Sequence, residues 1–180
     1  YFVKIETKIE DNPNNTINIY YEIDRGDKAT INKINFIGDK IFKDRKLSSV
    51  ITSEESKFWK IISNKKYLNV ERVNLDKRLL KNFYLDKGYY QVVINDAYSQ
   101  IVDQENFILT FNINAGKKFY FGDFNLVLPS DFDPIKFDDL NKTFSKLKNE
   151  KYSYRNIEKI LDEIEKIALI QNYEFIDANI

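Results

Sequence analysis

The chain has 180 residues, 43% hydrophobic and 15% aromatic, which is enough for real cores and for about two modest domains. Its 28 basic and 28 acidic residues cancel and are interleaved, so it lacks the clustered Lys and Arg that neutralise phosphates, and a nucleic-acid partner is disfavoured. Without Cys, His or Met it has no thiol nucleophile, disulfide, ordinary zinc site or Ser-His-Asp triad; only an all-carboxylate calcium or magnesium site stays open, and no cofactor is expected.

No apolar run approaches the roughly 20 residues that cross a bilayer, and no signal peptide opens the chain. Tyr1 falls inside a repeating pattern and no Met is present, so the chain is expected to be an internal piece of a longer protein.

Residues 1–24 are expected to form two strands around a turn at Asp11-Asn12-Pro13-Asn14-Asn15. Ile17, Ile19, Tyr21 and Ile23 alternate with Asn18, Tyr20 and Glu22, the period of two expected where one sheet face is buried. A strand at 30–36 follows, stopped by Gly38-Asp39-Lys40. Asp44 is expected to cap a short helix at 45–51 whose apolar stripe is Leu47, Val50 and Ile51.

An irregular stretch at 52–67 carries Phe58, Trp59, Ile61 and Ile62, and Trp59 is expected to pin this loop to its own domain. Asn69 precedes the main helix, in which Val70, Val73, Leu80, Phe83 and Tyr84 recur at helical spacing. Gly88 ends it, where a positive φ is wanted. Strands at 89–94 and 107–113 then close the unit as a hairpin.

The order repeats downstream. A strand is expected at 121–128, Asp133-Pro134 offers an N-cap with proline at the first helical position, and Phe137 and Leu140 face the core. Ser153 is expected to cap the longest helix, with Ile157, Ile160, Leu161, Ile164 and Ala168 as its stripe. Asn172 stands where Gly88 stood, the next best residue for a left-handed cap, and 175–180 begins another strand. Gly26 and Gly116 lie 90 positions apart, as do Ile34 and Phe124, and a fixed period points to an array of similar small domains.

Each unit thus reads strand, helix, helix, strand, strand: an α+β domain with two helices packed on one face of a three-stranded mixed sheet. The first and third strands are expected side by side, leaving the middle one at an edge. The boundaries expected are 1–26 for the closing hairpin of one domain, 27–116 for a complete domain and 117–180 for a domain cut before its last strand.

Ile31-Asn32-Lys33-Ile34-Asn35-Phe36-Ile37-Gly38-Asp39, Trp59 with Asn64-Lys65-Lys66-Tyr67, and Phe83-Tyr84-Leu85-Asp86-Lys87-Gly88-Tyr89 together resemble the POTRA family. The resemblance covers the whole chain, with departures at Leu128 and Asn172, which match Gly38 and Gly88. It implies a non-catalytic periplasmic array of tandem POTRA repeats joined to a C-terminal β-barrel in the outer membrane. Its partners would be accessory lipoproteins, unfolded outer-membrane proteins and periplasmic chaperones. The means implied is β-augmentation, in which a partner adds a strand to an open sheet edge. The matching edge is Tyr89, Tyr90, Gln91, Val92, Val93, Ile94 and Asn95, with Gln91 and Asn95 as its polar positions.

Relatives built from the same unit are a translocation and assembly module, a two-partner secretion transporter and a division protein with a single such domain. Outside this class, a KH-type nucleic-acid reader needs a Gly-x-x-Gly loop, and glycines at 26, 38, 88, 116 and 122 supply none. A carboxylate hydrolase needs facing acids across a cleft. The adjacent pairs Glu54-Glu55 and Asp138-Asp139 read instead as solvated charges that suit a helix dipole.

Overall fold

The computed structural model describes residues 4–24, 29–57, 59, 63–103, 106–171 and 173. Strands β1 (Lys4–Asn12) and β2 (Thr16–Asp24) form an antiparallel hairpin whose register runs from Asn12 opposite Thr16 to Lys4 opposite Asp24. Asn15 closes the turn at φ +55°, a left-handed position that asparagine tolerates. Ile5, Thr7 and Ile9 lie opposite Ile23, Tyr21 and Ile19, so one face is apolar, while Lys4, Glu6 and Lys8 opposite Asp24, Glu22 and Tyr20 make the other polar. The alternation is as expected, but the burial is not. Tyr21 is 65% exposed and Ile5, Ile9, Ile17, Ile19 and Ile23 are exposed with it, since no described residue covers this face.

The second sheet contains β3 (Thr30–Asp39), β4 (Val93–Ile101) and β5 (Asn106–Asn114) in the order β3-β5-β4. First and last strands are therefore neighbours and the middle one is at the edge, as the sequence implied. β5 runs parallel to β3: the Thr30 hydroxyl donates to Asn106 Oδ1 at their starts, and the Ala115 N–H donates to the Asp39 carbonyl at their ends. Helices α1 (Asp44–Ser48) and α2 (Val70–Leu85) pack on this mixed sheet, an α+β arrangement.

Asp44 is the first residue of α1 and not its cap; Lys43 takes the capping position, with no side-chain bond. Asn69 does cap α2, accepting the Arg72 N–H at 2.8 Å. Val70 is 74% exposed rather than part of the stripe, because the buried positions of α2, Asp76, Leu80 and Tyr84, step along another face. Trp59, expected to pin its loop, is 62% exposed, with the Lys57 ammonium 5.6 Å from its ring centroid. Phe58, Ile61 and Ile62 lie outside the described residues.

The chain divides into two compact units, and the dividing line passes through α2 and the strands of the second sheet. The first contains Tyr1–Ile37, Phe42–Lys77 and Asp96–Asn112. Its core gathers Ile31, Ile34, Phe36, Leu47, Leu109 and Phe111, with Phe36 and Phe111 stacked at 5.7 Å.

The second unit contains Gly38–Ile41, Arg78–Asn95 and Ile113–Ile180. It buries Leu80, Tyr84, Phe137, Leu140, Tyr152 and Ile160, and carries α3 (Asp138–Leu147) and α4 (Tyr154–Ile170). Asp133 caps a 3-10 turn at Pro134–Phe137 by accepting the Ile135 N–H at 3.1 Å. The strand expected at 121–128 is not formed. A strand requires a ladder, and the partner that β5 gives β3 has no counterpart here among the described residues, so Phe121 instead exchanges backbone bonds with Asn149 and Glu150. Asn172 and 175–180 lie outside the described residues.

Candidate partner-docking edge

A three-stranded sheet has two edges, and here they are treated differently. Along β3 the Ser56 N–H donates to the Ile31 carbonyl at 2.7 Å and the Leu68 N–H to the Ala29 carbonyl at 3.3 Å. Thr30 makes an antiparallel bridge with Tyr67, and Glu55 Oε1 accepts the Ile34 N–H at 3.1 Å. The flank formed by residues 52–57 and 63–68 thus occupies backbone groups along the first half of β3, from Ala29 to Ile34. It is fixed by Asp76, whose fully buried carboxylate accepts the Thr52 N–H, the Thr52 hydroxyl and the Ser53 N–H at 2.6, 2.7 and 3.1 Å.

The other edge is β4, and no described residue pairs along its outer side. Natural edge strands resist unwanted pairing through lysine, proline, bulges or shortness. β4 reads VINDAYSQI over nine residues: no lysine, no proline and a single charge, Asp96. Val93, Tyr98 and Ile101 are exposed along it, Ile94 is buried and Ala97 half-buried. Its backbone is free to pair, and its side chains give a partner apolar places to rest.

The structure splits the seven residues singled out on sequence. Val93, Ile94 and Asn95 lie in β4, whereas Tyr89, Tyr90, Gln91 and Val92 precede it as a turn. The reason is local. Gly88 at φ +98° ends α2 with two reverse bonds, Gly88 N–H to the Leu85 carbonyl and Tyr89 N–H to the Tyr84 carbonyl, and the Val92 N–H then folds back to the Tyr89 carbonyl. Three of these residues are held internally, while Gln91 is exposed. Tyr89 packs edge-on against Tyr84 at 5.8 Å, Tyr90 meets Tyr152 at 5.1 Å and Phe119 at 6.0 Å, and Val92 is buried. Burial pushes the Tyr152 hydroxyl above its ordinary value, and Tyr90, Tyr154 and Asp86 add to the shift.

Sequence reasoning missed Glu55 and Asp76. Glu55 reads as a solvated acid beside Glu54 and seals an edge through a residue 21 positions away. Asp76 bonds across 24 positions, and no local pattern signals it. Asp138 and Asp139 do sit exposed in the first turn of α3, where Lys142 bonds Asp139 and holds its carboxyl below the usual range.

A mixed three-stranded sheet backed by two helices and entered through a glycine-capped turn is the POTRA arrangement, and residues 29–116 match the family described as POTRA, surface antigen variable number repeat. Residues 29–116 are thus a POTRA domain. In particular the chain is similar to outer membrane protein assembly factor BamA: 26% identical over 128 residues to that of Neorickettsia risticii, covering 71% of this chain and 17% of the relative. To BamA of Neisseria meningitidis it is 22% identical over 179 residues, 99% of this chain and 22% of the relative. The chain therefore spans about a fifth of the length of these relatives. Among solved structures, Haemophilus influenzae BamA POTRA3-5 shares the fold with a TM-score of 0.57 at 12% identity, covering 92% of this chain and 61% of that one.

Proposed function

We propose that this chain is part of the periplasmic POTRA array of an outer-membrane β-barrel assembly protein of the BamA kind. It acts as a non-catalytic scaffold, on the periplasmic side of the outer membrane, in a parent chain anchored by a C-terminal barrel. Partners add a strand to β4: a BamB-type lipoprotein at the complete unit, and unfolded outer-membrane proteins, with periplasmic chaperones delivering them. The flanking segments 1–26 and 117–180 are parts of neighbouring repeats in this reading, which accounts for the uncovered apolar face of the β1–β2 hairpin.

The observation that supports this reading is the contrast between the two edges, β3 covered along its first half by residues 52–57 and 63–68, and β4 without a described partner on its outer side and without gatekeeper residues. Backbone pairing suits a handler of many sequences, because every client has the same backbone.

A proline scan of β4 tests it. Alternate residues turn their N–H towards β5 or towards the open side, so proline at the open-side positions among 93–97 removes only the groups offered to a partner. Binding of a BamB-type lipoprotein is expected to fall about tenfold or more at those positions with circular dichroism unchanged, and to survive conservative side-chain changes there. Unchanged affinity across the whole scan, in folded variants, contradicts edge docking.

A further inference from the structure

α4 begins with serine in the capping position, yet the Ser153 side chain bonds no helix amide. The cap comes from another element. Asp86 Oδ1 accepts the Arg155 N–H at 2.9 Å across 69 positions, the Ser153 hydroxyl lies 3.5 Å from the same oxygen, and the Arg155 guanidinium meets Oδ2 at 3.2 Å. Asp86 directly follows α2, so the end of one helix caps the start of another. A carboxylate at a helix N-terminus satisfies an orphan amide and complements the dipole as well.

Three further contacts surround this cap, all within the second compact unit. The Phe119 N–H donates to the Gly88 carbonyl at 2.7 Å, and the Tyr152 N–H donates to the Phe119 carbonyl at 3.0 Å. The ring of Tyr90 packs edge-on against Phe119 and Tyr152. At Gly88 a β-carbon would come within 3.1 Å of Lys118 Cγ and 3.3 Å of the Phe119 carbonyl oxygen. The turn at 86–90 is thus bonded to the chain that follows Gly116 through one carboxylate, one carbonyl and one ring.

We propose that this cluster is a locked joint, with Asp86 as its key. The 117–121 link, which follows Gly116, is clamped to the end of α2, and the start of α4 is held there by a cap that its own Ser153 does not provide. Within the second compact unit, the end of α2, the 117–121 link and α4 move as one body. The joint holds whether or not β4 binds a partner.

The chain has no cysteine, so Asn82→Cys in α2 and Lys159→Cys in α4, both at exposed positions, give two unique sites for spin labels. Pulsed electron resonance is expected to read one narrow distance in the otherwise unsubstituted chain. Asp86→Ala is expected to lose that single distance and to speed exchange of the Arg155 amide about fivefold or more, the usual scale of a lost cap. Arg155→Ala, which keeps both the amide and the carboxylate, is expected to retain the narrow distance. A broad or multiple distribution without Asp86→Ala overturns the proposal, whatever the stability of that variant. So does a folded Asp86→Ala that keeps the narrow distance and slow Arg155 exchange.

Discussion

Tyr152 is a buried tyrosine set among Tyr90, Phe119 and Phe121, and its environment disfavours the tyrosinate. Because its folded-state value is raised above the ordinary 10.0, an unfolded chain gives up this proton at lower pH than the folded one. Its contribution to stability is therefore complete below pH 10 and declines as pH rises through the raised value. Tyr152→Phe is expected to flatten this part of the alkaline decline, measured as the difference between the two chains' urea midpoints from pH 9 to about 11.5. Gly88 and Ser153 show what a single residue discloses. The need for positive φ at the end of α2 is a local property of the backbone, so Gly88 was legible in the sequence. Serine before α4 gave the right boundary but the wrong cap, since the acceptor comes from Asp86 in another element.

The elements of the complete unit follow from period and punctuation, and even the position of β4 at an edge was legible. What marks one edge as closed was not, because Glu55 and Asp76 act over 21 and 24 positions. The start of β4 was missed for a related reason: Tyr89–Val92 has strand-forming composition, but the glycine cap commits those residues to reversing direction first. Asp76 links α2 to the segment that seals β3. Asp76→Ala leaves the Thr52 and Ser53 donors without their buried acceptor and is expected to lower stability by about 2–4 kcal/mol. The check is urea denaturation with an unchanged slope. Faster exchange of the Ile34 and Ser56 amides than of the α4 amides in that variant would show that the seal on β3 loosens first. Equal effects throughout would make Asp76 a general stability residue instead.

At the scale of the whole molecule, the 90-residue period pointed to an array with one complete unit at 27–116, and the POTRA family match spans 29–116. The apolar face of β1–β2 shows where pattern alone stops: alternation identifies which face seeks burial, and only a covering element can bury it. The central claim is that β4 offers its backbone to an incoming strand. It is tested most directly by residue-resolved amide exchange along β4, with and without a saturating extended peptide from an outer-membrane β-barrel protein. Alternate amides from Val93 to Ile101 are expected to slow on binding while those of β3 stay as they were. Unchanged exchange along β4, or protection appearing only on β3 or the helices, would contradict the account.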